Sequence, residues 1–205
     1  MEHTRETAAA YDRYPEVFDE KFERHMREYN LPHADAFLAA LPGRRILDIG
    51  SGPGNHSAYF RDRGFEPLCG DPSEAMLRLC RMKGLRAEPM TLETFDLGRR
   101  FDGVWANASL LHLRKSDVPA ALSRIDRHLC PGGAFGCDVK EGRGEGMEAN
   151  QNYPGTRHWF SYFADEELRD LLAPRFELLR YARGVTPGGG AVFLKYVLRL
   201  RGGVV

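Results

Sequence analysis

The run Ile46-Leu47-Asp48-Ile49, followed by Gly50-Ser51-Gly52-Pro53-Gly54, constrains this chain more than any other stretch. A short apolar run bounded by turn residues reads as a buried strand. Without Cβ atoms, Gly50, Gly52 and Gly54 accept positive φ and let a ligand lie directly on the backbone. A helix pattern begins at about Asn55, so its amide-rich N-terminus points into the same turn. Strand, glycine turn and helix in that order form a small-ligand cradle at the C-terminal edge of a sheet.

The rest of the chain repeats this alternation. Strands are expected near 45–49, 66–70, 86–90, 101–107, 133–139, 175–181 and 191–200, and helices near 55–63, 73–83, 117–130 and 165–172. Such a pattern predicts a doubly wound α/β fold with right-handed crossovers. Residues 186–190, Thr-Pro-Gly-Gly-Gly, are too few for a helical crossover, so the last two strands pair as a hairpin. Asp71 ends the second strand, where a carboxylate accepts hydrogen bonds from both hydroxyls of a ribose and disfavours a 2′-phosphate. Ser73 is placed to cap the helix that follows.

A dinucleotide fingerprint needs a third glycine where this chain has Asn55, which speaks against a nicotinamide oxidoreductase. The run Gly-x-Gly-x-Gly with Asp48 before it instead resembles the first motif of class I S-adenosylmethionine (SAM)-dependent methyltransferases. Four further segments resemble that family's later motifs in order. They are Asp71-Pro72-Ser73-Glu74-Ala75-Met76-Leu77; Arg86 to Glu93; Phe101 to Leu113; and Leu129-Cys130-Pro131-Gly132-Gly133, where Pro131 is expected to stop a helix. The resemblance implies a seven-stranded, mostly parallel sheet with an antiparallel last strand in a three-layer α/β/α sandwich, and SAM as cofactor with S-adenosylhomocysteine (SAH) as product. It implies that the acid at Asp48 helps hold the methionine ammonium, and that Gly50, Ser51, Gly52, Gly54 and Asn55 form the turn beneath the methionyl and ribose parts. Pro72, Ser73 and Met76 follow the ribose contact, with Met76 over the adenine. Thr91 stands where the family usually has an acid facing the adenine amino group. It is followed by Leu92, whose amide faces the ring, and by Glu93. Asn107 and Ala108 close over the methionyl end.

Residues 1–42 read as a helical cap, with Phe18, Phe22, His25, Met26 and Tyr29 at helical spacing, a break at Pro32 and a second helix over 33–41. The segment Tyr11-Asp12-Arg13-Tyr14-Pro15-Glu16-Val17-Phe18 resembles the preface of small-molecule methyltransferases, in which the first Tyr reaches the cofactor. Tyr14 and Phe18 then fall on the acceptor side. Residues 43–139 are the SAM-binding core, 140–163 a Gly-rich then aromatic lid over the pocket, and 164–205 a C-terminal helix and hairpin, all within one domain. Lys140, Glu141, Arg157 and His158 are candidates for binding a charged acceptor, and Trp159 and Tyr162 for enclosing it. The lid pattern is similar to that of small bacterial methyltransferases related to the tellurite-resistance type. His112 follows the fourth strand, where an imidazole can take a proton from the acceptor.

Equal numbers of basic and acidic residues, 29 each, leave no charge footprint for nucleic acid or an anionic membrane. The loop after the fourth strand also lacks the Pro-Pro-aromatic run of amino-methylating DNA enzymes. Four cysteines without metal spacing, a polar N-terminus and no transmembrane-length segment fit a cytoplasmic protein with no metal site. The expected activity is methyl transfer to a small molecule by a monomer or homodimer. Two alternatives stay open, a protein or peptide acceptor and a SAM-binding regulator without turnover.

Overall fold

A computed structural model describes residues 2–149, 154–186 and 190–202. Its main sheet has seven strands: β1 (Arg45–Ile49), β2 (Glu66–Asp71), β3 (Arg86–Pro89), β4 (Phe101–Asn107), β5 (Leu129–Lys140), β8 (Phe176–Val185) and β9 (Val192–Leu200). The order across the sheet is β3-β2-β1-β4-β5-β9-β8. Pairs from β3 to β5 are parallel, and β9 runs antiparallel between β5 and β8. The apolar strand runs follow from burial on both faces, which parallel sheets require.

One face carries α3 (Leu31–Ala39) and α4 (Asn55–Arg61), whose Phe37 and Phe60 pack on Ile46, Trp105 and Val197. On the other face α6 (Val118–His128) buries Val118, Ala121, Leu122 and Ile125, and α7 (Asp165–Leu172) buries Leu168 and Leu172, against Leu47, Val104 and Phe135. That spacing is one stripe of a helix. α5 (Glu74–Met82) starts at Ser73, whose hydroxyl accepts the Met76 amide at 3.1 Å, and lays Leu77 and Cys80 inward. The family's sandwich is thus present as expected.

Three boundaries differ from the sequence reading. The N-terminal cap is α1 (Glu2–Arg13), α2 (Pro15–His25), a π-turn over Met26–Asn30, and α3. Pro32 lies in the first turn of α3 rather than ending a helix, a position where its missing N–H costs nothing. Pro131 lies in β5, because α6 already ends at His128 and Leu129 pairs with Phe101. The described part of the 140–163 segment is not simply a loop, and residues 150–153 of the expected lid lie outside the described residues. Its β6 (Glu145–Ala149) and β7 (Arg157–Ser161) form an antiparallel ribbon, with Glu148 opposite His158 and Gly146 opposite Phe160. Pro187, Gly188 and Gly189 of the last turn lie outside the described residues.

Candidate active site

The C-terminal ends of β1, β2 and β4 meet at one cavity, roofed by α1, α2 and the β6–β7 ribbon, with a volume of about 890 Å³. That lies toward the upper end of ligand pockets and leaves room for a cofactor beside a small second molecule. The glycine turn is built as its composition demands. Gly50, Gly52 and Gly54 have φ of 74°, 53° and 80°. A Cβ on Gly50 would fall 2.3 Å from Cβ of Ser109, so the turns after β1 and β4 touch at a point only glycine permits. Ser109 seals that contact by donating its hydroxyl to the Ile49 carbonyl at 2.9 Å.

Two buried carboxylates flank the turn. Asp48 accepts the Ser57 hydroxyl at 2.8 Å, and burial pushes its pKa up to about 7. Asp71 accepts the Gly52 amide and the Ser73 amide, each at 2.9 Å, which ties the end of β2 to the glycine turn. Burial raises Asp71 to about 6 against the opposing pull of those two amides. Both groups are thus poised to gain charge when a cationic or hydroxyl-bearing ligand arrives.

At the end of β4, Ala108 has φ of 49°, the only positive value outside glycine among the described residues. Its amide is held by the Asp138 carboxylate. Beside it, the Asn107 side-chain carbonyl accepts from Asn30 at 2.9 Å, and Lys195 donates to the carbonyls of Asn30 and Tyr29. Asn30 closes the π-turn, so the cap is anchored to the strand end through Asn107. π-Turns recur at functional sites for this kind of re-aiming. Sequence reasoning missed Asn30, Asp138 and Lys195. Their only signal was one polar residue inside each of two apolar strand runs, at Asp138 and Lys195.

On the roof, the His112 Nδ1 lies 2.7 Å from the Trp159 carbonyl, so that nitrogen carries the proton. Nε2 is left to accept the Tyr11 hydroxyl at 3.1 Å. Burial lowers His112 to about 3, keeping it neutral, and burial and then Asp71 raise Tyr11. The Trp159 amide donates to Thr7 at 3.0 Å and Arg157 pairs with Glu6 at 3.4 Å, so β7 is stitched to α1.

Of the residues expected at the site, Tyr11, Phe18, Asp48, Gly50, Ser51, Gly52, Asn55, Asp71, Pro72, Met76, Thr91, Leu92, Glu93, Asn107, Ala108, His112 and Lys140 line the cavity. Several also have internal partners. Asn55 bridges Asp19 and Lys83, and Glu93 accepts the Thr4 hydroxyl at 2.5 Å. Gly54, Ser73, Tyr14, Arg157, Trp159 and Tyr162 do not line it. Gly54 caps α4 with its α-carbon facing Leu85 and Cys80, and Ser73 caps α5. Strand alternation turns Arg157 and Trp159 toward α1 and the 110–113 turn, where the indole N–H reaches the Leu113 carbonyl at 3.2 Å. Tyr162 donates to Glu148 at 2.8 Å on the exposed rim, and the Tyr14 hydroxyl to the Pro154 carbonyl at 3.4 Å. Among the described residues no cluster of His, Cys, Asp and Glu could hold a metal ion, and no helix is long and apolar enough to cross a membrane.

Comparison with known proteins agrees with this geometry. The profile of a methyltransferase domain matches residues 46–133. A malonyl-[acyl-carrier protein] O-methyltransferase of Pseudescherichia vulneris is 33% identical over 136 residues, 63% of this chain and 51% of the relative. A ubiquinone biosynthesis O-methyltransferase of Nitrobacter winogradskyi is 27% identical over 188 residues, 84% of this chain and 66% of the relative. The chain therefore spans about half the length of the malonyl relative. Among solved structures, the Burkholderia thailandensis 1,6-didemethyltoxoflavin-N1-methyltransferase, bound to 1,6-didemethyltoxoflavin and SAH, superposes with a TM-score of 0.69 at 25% identity, covering 97% of this chain and 91% of that one. The sheet order, the glycine turn and the acid-ended second strand define a Rossmann-like cofactor-binding fold. Residues 46–133 match a methyltransferase domain, and the whole chain is similar to methyltransferases solved with SAH bound, which supports SAM as the cofactor.

Proposed function

We propose that this protein transfers the methyl group of SAM to a small-molecule acceptor bound between the N-terminal helices and the β6–β7 ribbon. The observation that carries the reading is the pairing of Asp71 with the glycine turn at the floor of a cavity large enough for two molecules. When bound, the cofactor supplies an electrophilic sulfonium methyl. The residues present fit such a group. Asp71 is the acceptor for ribose hydroxyls and Asp48 the carboxylate for an ammonium. Gly50, Ser51 and Gly52 offer bare backbone, Met76 and Leu92 an apolar face for a purine with Thr91 and Glu93 at its edge, and Asn107 and Ala108 the methionyl contact.

The cap excludes water. Asp12 on α1 accepts the Ser73 hydroxyl at 2.6 Å and the Ala75 amide at 3.1 Å, which fastens α1 over the mouth. Tyr11, Phe18 and Phe22 form the adjoining apolar cluster with Met76. Excluding water matters because water competes with the acceptor and weakens the fields that orient it. His112 acts here by holding Tyr11, since its lone pair is already engaged. Phe18 and Lys140 belong to the acceptor end.

The test is turnover of methyl-labelled SAM against a panel of small acceptors. We expect acceptor-dependent formation of SAH and a labelled product. Tight SAH binding with no product from any acceptor would favour a regulator without turnover.

A further inference from the structure

His158 is 2% exposed, it lines the cavity, and neither ring nitrogen has a hydrogen-bond partner. Polar groups buried in this way are costly unless something completes them. His112, 6.3 Å away between ring centres, cannot serve the cavity in its place, because the Trp159 carbonyl and the Tyr11 hydroxyl occupy both of its nitrogens. Of these two neighbouring histidines, His158 is therefore the one with a free lone pair.

Its surroundings describe what it would meet. His158 and Phe160 stack at 5.9 Å with planes 27° apart, and His112 lies 38° from the Phe160 plane at 5.2 Å. The three rings, tilted 27–38° from one another, line one side of the cavity as an aromatic wall, closed at one edge by Tyr11, whose ring centre is 4.8 Å from that of His158. The Lys140 ammonium stands 3.4 Å from the Phe160 ring centre, and its charge is felt at both histidines.

Building on the methyl-transfer reading, we propose that His158 is the proton-accepting residue of the acceptor site. The acceptor is a flat aromatic molecule bearing an acidic hydroxyl, laid against the His112–His158–Phe160 wall with its oxygen toward Lys140. In the step, the acceptor O–H bond breaks and its proton joins the free imidazole lone pair. The bonding pair stays on oxygen, and the resulting anion faces the ammonium of Lys140. An aromatic wall with one lone pair and one cation suits a phenol or enol better than an aliphatic amine, which gains nothing from a neighbouring ammonium.

Burial, then Lys140 and Lys21, lowers His158 to about 4, which keeps the lone pair open near neutral pH. The charged and titratable groups facing it are Tyr11 from α1, Lys21 from α2, Lys140 from β5, His112, and Glu148 across the ribbon. An anion formed beside the ring restores its basicity by attraction.

The test uses para-nitrophenol, whose anion absorbs visible light, titrated into the full chain saturated with SAH. We expect the bound probe to ionise at a pH lower than the free probe by about one unit or more, as an opposite charge at close range produces. His158→Gln and Lys140→Met should each return the midpoint toward the free value, with SAH affinity retained as proof of folding. A His158→Gln protein that binds SAH and leaves the midpoint unchanged overturns the proposal. If His158→Gln fails to bind SAH, Lys140→Met decides, and an unmoved midpoint there overturns it. A probe that does not bind the SAH-loaded wild type overturns it while leaving the cofactor reading intact. Failure of the wild type to bind SAH removes both.

Discussion

Asp71 does two jobs with one carboxylate. It holds the glycine turn through two amides, and it faces the cavity where ribose hydroxyls are proposed to bind. Asp71→Ala should weaken SAH binding by ~2–4 kcal/mol, the sum of two hydrogen bonds to a charged group. A titration of the folded variant reads this directly, and an unchanged affinity would remove the assignment. The position of Asp71 at the end of β2 was legible in the sequence, because an acid that closes the apolar run after a glycine turn falls at a strand end in a doubly wound sheet. His158 was not legible as a distinct group. It looked equivalent to Arg157 and Trp159 until the pairing of Glu148 with His158 fixed which residues face inward. The engagement of His112 by Tyr11 spans 101 positions, a separation that no local pattern encodes.

At the scale of elements, the core strands were readable because burial on both faces forces long apolar runs. The β6–β7 ribbon was hidden because Gly142, Gly144 and Gly146 dilute its pattern and read as loop. The cap was legible as helix, but its π-turn was not, since one extra residue per turn leaves no mark on composition. What holds the cap down is a capping contact in trans, Asp12 onto the N-terminus of α5. Asp12→Ala should cost about 1 kcal/mol, in line with loss of a helix cap. It should also speed hydrogen exchange in α1 while β1 and β4 stay protected. Equal exchange in α1 of both proteins would show that the ribbon, through Trp159 and Arg157, is the stronger anchor.

At the scale of the molecule, burial of histidine sets the response to acid. Burial lowers His33, His56 and His112 to about 3 and His25 and His158 to about 4 from an ordinary 6.5, and His3 is lowered too. Each contributes stability that is present above 6.5 and lost as pH falls toward its folded value. Asp48, Asp71 and Asp138 are raised from 3.8 to about 7, 6 and 6, so their contribution runs the other way and is lost as pH rises through those values. Six histidines outweigh three carboxylates, and the unfolded chain binds more protons between these limits. The melting temperature should therefore fall as pH drops from about 7 to about 5, and a flat or inverted profile over that range would contradict the burial of these rings. The claim on which all of this depends is that the turned ends of β1, β2 and β4 hold a sulfonium nucleoside. Calorimetric titration of the pure, folded protein with SAH tests it most directly. The account predicts one saturable site per chain, and a folded protein that takes up neither SAH nor SAM would contradict it.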